Sequence, residues 1–246
     1  MSGPLAGRRV IVTRAAERAG GLSSLLRDAG ADVVEIAVTT TSDARDGGDA
    51  FRDAVSRSRE FDWIVATSPE GARRLVDELR AQGVDRASLS CRFAAVGRST
   101  AEAMGGADFV PSTQTGVSLG ASFPHGPGRV LLAVAESAST DFEIAAREKG
   151  WTVERVHSYR TVAVRPTGVS PSDVESCDAI AFTAASSAEA WVEAFGTVMP
   201  RCVVAMGPQT ADALRRLGVD GVTVATEQTL DGIVATLIAT LEQSLW

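Results

Sequence analysis

Val203-Val204-Ala205-Met206-Gly207-Pro208-Gln209-Thr210-Ala211-Asp212-Ala213-Leu214 reads as a buried strand that turns sharply into a helix. A run of β-branched and small apolar residues ends at Gly207, Pro208 sets the turn, and Thr210 stands in the first helical turn ahead of Ala213, Leu214 and Leu217. Such a junction leaves backbone N–H groups pointing out of the carboxyl edge of a sheet, where they favour anions. Phe93-Ala94-Ala95-Val96-Gly97-Arg98-Ser99-Thr100-Ala101-Glu102-Ala103-Met104 repeats the order: strand, Gly, two residues, Thr-Ala, helix. The chain carries this site-forming device twice.

Working outward, residues 9–14 and 33–38 read as strands around a helix marked by Leu22, Leu25 and Leu26 and closed at Gly30. Residues 39–49 read as a polar connection and 51–59 as a short helix. Residues 62–68 read as a buried strand opening into Ser68-Pro69-Glu70-Gly71, and 72–81 as a helix. An edge-like strand at 107–111 and a helix at 117–122 follow the Gly97 junction. Pro124-His125-Gly126-Pro127-Gly128 then punctuates the chain, and the order starts again. Residues 129–134 answer 9–14, 148–154 answer 28–34, 178–183 answer 62–67, and Gly207 answers Gly97. A tandem duplication with a period of roughly 110–120 residues accounts for this pattern. Strands alternating with helices predict an α/β class of mostly parallel sheets flanked by helices, with ligands outside the carboxyl ends of the strands. Leu230, Ile233, Val234, Leu237, Ile238 and Leu241 have the spacing of a helix with one core-facing side.

Gly126 is the obvious place to divide the chain, but residues 153–164 alternate and are too long for one strand of a compact domain. They predict a bridge between two bodies, with 33–41 as its counterpart, and hence two lobes around a hinged cleft.

The 246 residues are 45% apolar and 22% charged, and no apolar run approaches a membrane span. The N-terminus runs straight into a strand without a signal-like segment, which predicts a cytoplasmic protein. A net charge of −7 argues against nucleic-acid or anionic-membrane partners, which need a basic field. Cys91, Cys177 and Cys202 are scattered outside any CxxC pattern and read as buried structural thiols. His125 and His157 have no partner at ligand spacing, so no metal is expected.

No nucleophile elbow, phosphate loop, HExxH or GxGxxG occurs. An enzyme without such a signature works mainly by positioning and electrostatics. Hydroxyl residues gather instead at strand ends: Thr13, Thr67, Ser68, Thr100, Thr183, Ser186, Ser187 and Thr210. Each is also a natural helix N-cap, but their recurrence at corresponding junctions points to a rim that binds carboxylates. Arg14 lies at the same edge and has the fork that grips a carboxylate, with Arg98 a weaker version. Tyr159, the only tyrosine, sits on the bridging strand two residues from His157. It is either a structural aromatic or a hydroxyl donor facing the cleft. A phenol is a weak acid at neutral pH, so as a general acid it needs a neighbour's help.

Together these residues resemble the uroporphyrinogen-III synthase family of tetrapyrrole and heme biosynthesis. The resemblance rests on Thr13-Arg14, Gly30-Ala31-Asp32-Val33, Thr67-Ser68-Pro69, Val96-Gly97 with Thr100-Ala101, Val156 with Tyr159-Arg160-Thr161, and Gly207-Pro208 with Thr210-Ala211. It implies two similar α/β lobes joined by a two-stranded linker: 1–37 with 163–246, and 42–157, with linker strands at about 38–41 and 158–162. It further implies a cytoplasmic monomeric lyase that closes hydroxymethylbilane without a cofactor, losing water and inverting ring D through a spiro intermediate. Tyr159 is then the candidate acid, and Thr13, Arg14, Thr67, Ser68, Gly97, Thr100, Thr183, Ser186, Ser187, Gly207, Pro208, Gln209 and Thr210 the candidate substrate-binding positions. Transient contact with hydroxymethylbilane synthase, which supplies the unstable substrate, is a further implication. Two positions depart from the family pattern: Ala184-Ala185 replaces the usual Ser-Pro, and Ile36-Ala37-Val38-Thr39 lacks the usual proline. A non-enzymatic two-lobed sensor of small anions, and an α/β transferase acting on a phosphorylated substrate, are the alternatives.

Overall fold

The computed structural model describes residues 3–14 and 16–243; the side chains of residues 14, 16–20 and 243 fall outside the description. β1 (Arg9–Arg14) leads into α1 (Ala16–Asp28), and Gly30, at a φ of +93° that favours glycine, turns the chain into β2 (Asp32–Ser42). α2 (Asp49–Ser56) buries Phe51, Ala54 and Val55 on one face, and a short 3-10 turn separates it from β3 (Trp63–Ala66). Ser68 then caps α3 (Pro69–Ala81), with Pro69 in the first turn, where a missing N–H costs nothing. β4 (Arg92–Ala95) and α4 (Arg98–Ala103) meet at Gly97. α5 (Gly116–Ser122), β5 (Gly128–Ala135), α6 (Asp141–Glu148) and the 13-residue β6 (Trp151–Ala163) follow. A Ser170–Asp173 capping box opens α7 (Pro171–Glu175). β7 (Ala179–Phe182), α8 (Ala185–Phe195), β8 (Cys202–Ala205), α9 (Pro208–Arg216), β9 (Val222–Val224) and α10 (Leu230–Gln243) complete the chain.

The chain divides into two compact units: Met1–Thr40 with Val162–Trp246, and Thr41–Thr161. In the first, the strand order is β2-β1-β7-β8-β9, all parallel, with Val10, Ile11 and Val12 of β1 opposite Ala179, Ile180 and Ala181 of β7. In the second, the order is β4-β3-β5-β6, also all parallel. This is the α/β class that the alternation of elements predicts.

Each sheet is covered on both faces, so its central strands are apolar throughout rather than alternating. In the first unit Val10, Val12 and Val204 pack with α1 and α10, while Ile11, Ile180 and Phe182 pack with Trp191 of α8 and Leu214 of α9. In the second, Ile64, Phe93 and Leu131 pack with Leu75 and Leu79 of α3, while Val65, Leu132 and Val134 pack with Leu119, Phe123 and Phe142. Trp191 and Phe142 are almost fully buried, and truncating either to alanine would cost on the order of 3–5 kcal/mol.

Three local expectations change. Residues 39–42 continue β2 instead of starting a polar connection. The expected helix over 51–59 stops at Ser56, and the 3-10 turn follows. The expected strand at 107–111 reduces to a single bridge from Phe109 to Ala94, because Pro111 ends any further ladder.

Candidate functional site

Parallel strands place their carboxyl ends on one edge of each sheet, and the predicted site residues lie there. In the second unit these are Thr67 and Ser68 after β3, Gly97 and Thr100 after β4, and Tyr159 near the end of β6. In the first they are Thr13 on β1, Thr183, Ser186 and Ser187 around the start of α8, and Gly207, Pro208, Gln209 and Thr210 at the start of α9. Arg14 closes β1; its side chain lies outside the described residues.

The structure brings Ser68 and Tyr159 together. Their hydroxyl oxygens are 3.0 Å apart, and Ser68 Oγ also accepts the Gly71 N–H at 3.1 Å. Tyr159 reaches this position through an irregularity in its strand. Val134 of β5 pairs with His157, but the next residue, Ala135, pairs with Tyr159, so Ser158 is an extra residue in β6. The bulge breaks the in–out alternation, and both Ser158 and Tyr159 are buried. Ser158 Oγ donates to the Val134 carbonyl at 3.2 Å.

Arg74 stands behind the pair. It donates to Glu70 Oε1 at 3.0 Å, to Asp43 Oδ1 at 2.7 Å and to the Ser158 carbonyl at 3.2 Å, and it lies 5.8 Å from the centre of the Tyr159 ring. Burial works to lower the pKa of the Arg74 guanidinium, but its hydrogen bonds to the Asp43 and Glu70 carboxylates outweigh that, so the pKa is raised. Beside this group, Arg45, Glu136, Ser137, Arg160 and Thr161 line a cavity of about 300 Å³.

Of the hydroxyl residues predicted at the strand ends, Ser68 is the one that caps a described helix. Thr13 and Ser187 are buried, and their hydroxyls donate to the Ala181 and Ala184 carbonyls. Thr100 and Thr210 are buried in the first turns of α4 and α9, and Thr183 Oγ1 is buried without a partner among the described residues. The helices α4, α8 and α9 start at Gly97, Ala184 and Gly207 without a side-chain cap. At α4 the Arg98 N–H is taken by Gln114 instead, and α9 begins with Pro208, which has no N–H to satisfy.

Two glutamines that the sequence reading missed cover the glycines. Gln114 Oε1 accepts the Arg98 N–H at 3.0 Å, and a Cβ on Gly97 would run into its carboxamide. A Cβ on Gly207 would lie 2.9 Å from Gln228 Oε1. Both glutamines precede a threonine that accepts an N–H three residues on, Thr115 from Ser118 and Thr229 from Gly232. The recurring Gln-Thr pair was the signal available in the sequence. Arg74, Glu70 and Asp43 were missed because an i, i+4 ion pair on a helix reads as solvated surface.

The three thiols are buried, and burial pushes Cys91 and Cys202 up to about 11 and Cys177 upward. They are inert as nucleophiles at neutral pH. Among the described residues no group of His, Cys, Asp and Glu gathers at metal-binding distance, and no helix is long and apolar enough to cross a membrane.

Both units are thus parallel α/β sheets with helix starts that lack a side-chain cap at their carboxyl edges, and the second also carries a hydroxyl pair there. The family described as "Uroporphyrinogen-III synthase HemD" matches residues 7–235, and the chain belongs to that family. It is 28% identical over 251 residues to the porphyrin biosynthesis protein HemD of Ruminiclostridium josui, covering 97% of this chain and 49% of that protein. The chain thus spans about half the length of that relative. It is 25% identical over 254 residues to the uroporphyrinogen-III synthase of Synechococcus elongatus, covering 94% of each. A uroporphyrinogen III synthase from Thermus thermophilus shares the fold with a TM-score of 0.59 at 23% identity, covering 96% of this chain and 100% of that one.

Proposed function

We propose that this chain converts hydroxymethylbilane into uroporphyrinogen III, closing the macrocycle with loss of water and inversion of the last pyrrole ring, without a cofactor. The observation that supports it is the Ser68–Tyr159 pair, a phenol at the carboxyl edge of a sheet with a hydroxyl neighbour at 3.0 Å. Tyr159 gives its proton to the departing hydroxyl, which leaves as water. Ser68, whose Oγ already accepts the Gly71 N–H, turns its own proton to the phenolate that forms. The substituted carbon of the last ring then attacks the methylene left on the first ring, giving the spiro intermediate. Its older bond to the methylene of the third ring breaks, that methylene re-bonds at the unsubstituted carbon of the last ring, and the proton this carbon loses on rearomatisation returns to Tyr159.

The carboxylates of the substrate suit the uncapped N–H groups at the starts of α8 and α9 and the exposed Ser186 and Gln209. Because the bilane closes without inversion when left alone, the protein's larger task is to fold it so that the substituted carbon is presented. The reading carries with it a cytoplasmic monomer that meets hydroxymethylbilane synthase transiently to receive its unstable substrate.

The test generates hydroxymethylbilane in situ, adds the protein, oxidises the products and separates type I from type III uroporphyrin. Predominantly type III product is the expected result. Type I alone, from folded protein, would overturn the reading in favour of an anion sensor.

A further inference from the structure

A bulged residue loses its ladder partners, and its carbonyl must find another donor or remain unpaired at a cost. The Ser158 carbonyl accepts a hydrogen bond from Arg74, 3.2 Å away. Asp43 and Glu70 hold the same guanidinium by further hydrogen bonds, and Glu70 also accepts from Thr41 Oγ1 at 2.9 Å. The cluster thus gathers the segment that begins the second unit, the first turns of α3 and the end of β6. Exposed i, i+4 pairs contribute little to stability, but here the Arg74 side chain is only 24% exposed and Glu70 16%. An arginine fork fixed this way has lost its rotamer freedom in advance and can hold a backbone carbonyl in place.

We propose that Arg74 is a positioning residue for Tyr159: through the Ser158 carbonyl it braces the β6 bulge that keeps the phenol on Ser68. Its consequence for turnover rests on the reading of Tyr159 as the acid; its geometric part does not.

Tyr159 is the only tyrosine of the chain, so 3-fluorotyrosine incorporated into the full protein gives a single fluorine resonance. Arg74→Gln is expected to shift that resonance and to lower kcat about tenfold while KM stays within about twofold. Arg74→Lys, which keeps the charge but not the fork, should recover part of both. Arg86→Gln, which removes a guanidinium bonded to the Gly105 and Gly106 carbonyls of the same unit, should leave the resonance in place. In a Tyr159→Phe background Arg74→Gln should lower kcat no further. An unmoved resonance in folded Arg74→Gln, or an equal loss of kcat with and without the phenol hydroxyl, overturns the proposal. If Arg74→Gln does not fold, Asp43→Asn loosens the guanidinium from one side and carries the same test with the same expected direction. A moved resonance combined with wild-type turnover in Tyr159→Phe would separate the two levels: the geometric brace stands, and the acid role fails.

Discussion

The β3–α3 and β7–α8 junctions have nearly the same backbone and different chemistry. Ser68 has φ −155° and ψ 152°, Ala184 has φ −155° and ψ 151°, and each precedes a helix at the carboxyl end of a fully buried strand. At the first, a side chain caps the helix and holds Tyr159; at the second, the helix start is left open. The strands beside them differ in the same sense. β5 and β6 slip by one residue, which aims Tyr159, whereas β1 and β2 go from Val12 opposite Glu35 to Arg14 opposite Thr39, a slip of two. The comparison shows how one backbone geometry serves two arrangements: a side-chain cap that also meets a phenol at the first junction, and no side-chain cap at the second.

Among changes at the two junctions, Ser68→Ala should produce the largest effect, because it removes both the cap and the neighbour of the phenol. Turnover should fall about tenfold, and urea denaturation should show a loss of about 1 kcal/mol. Unchanged turnover with the stability loss would reduce Ser68 to a cap.

The two glycine junctions offer a second contrast. Gly97→Ala drives out Gln114, which bonds the Arg98 N–H, and should cost about 1 kcal/mol more than Gly207→Ala, where Pro208 has no N–H to lose. Equal losses in urea denaturation would mean that the glutamine bond contributes nothing.

Ala184→Ser makes the two junctions alike. A serine there should accept the Ser187 N–H and stabilise the chain by about 0.5–1 kcal/mol. It should also raise KM, since the new hydroxyl competes with a substrate carboxylate for the helix start. An unchanged KM would remove that helix end from binding.

The smallest effect is one the two units share. Cys91 and Cys202 each rise from an ordinary 9.0 to about 11 through burial, which favours the neutral thiol in the folded chain. Their contribution to stability is therefore complete below about pH 9 and is lost as pH rises towards 11. A Cys91→Ala, Cys202→Ala double variant should show a shallower alkaline decline in denaturation midpoint than the wild type.

Most of the architecture was legible because parallel strands covered on both faces must be apolar throughout, as in residues 63–66 and 203–206. The Gly97 and Gly207 junctions came from the same grammar, whereas the candidacy of Tyr159 came from its place as the sole tyrosine on the long bridging strand and from the family resemblance. What was hidden depended on register and contact. One extra residue at Ser158 leaves no mark in composition, yet it turns Tyr159 inward. Arg74 looks like half of a surface pair until the Ser158 carbonyl is found beside it. The extension of β2 through Ser42 was masked by its threonines, which suit a strand and a polar loop equally well.

The most direct test of the account measures rate and product isomer together for the wild type and Tyr159→Phe, with hydroxymethylbilane made in situ. The account predicts a loss in rate on the order of 100-fold, with the residual enzymatic product still type III, because folding the substrate does not depend on the phenol hydroxyl. Wild-type turnover in the variant would contradict the role of Tyr159, and type I product from both proteins would contradict the function.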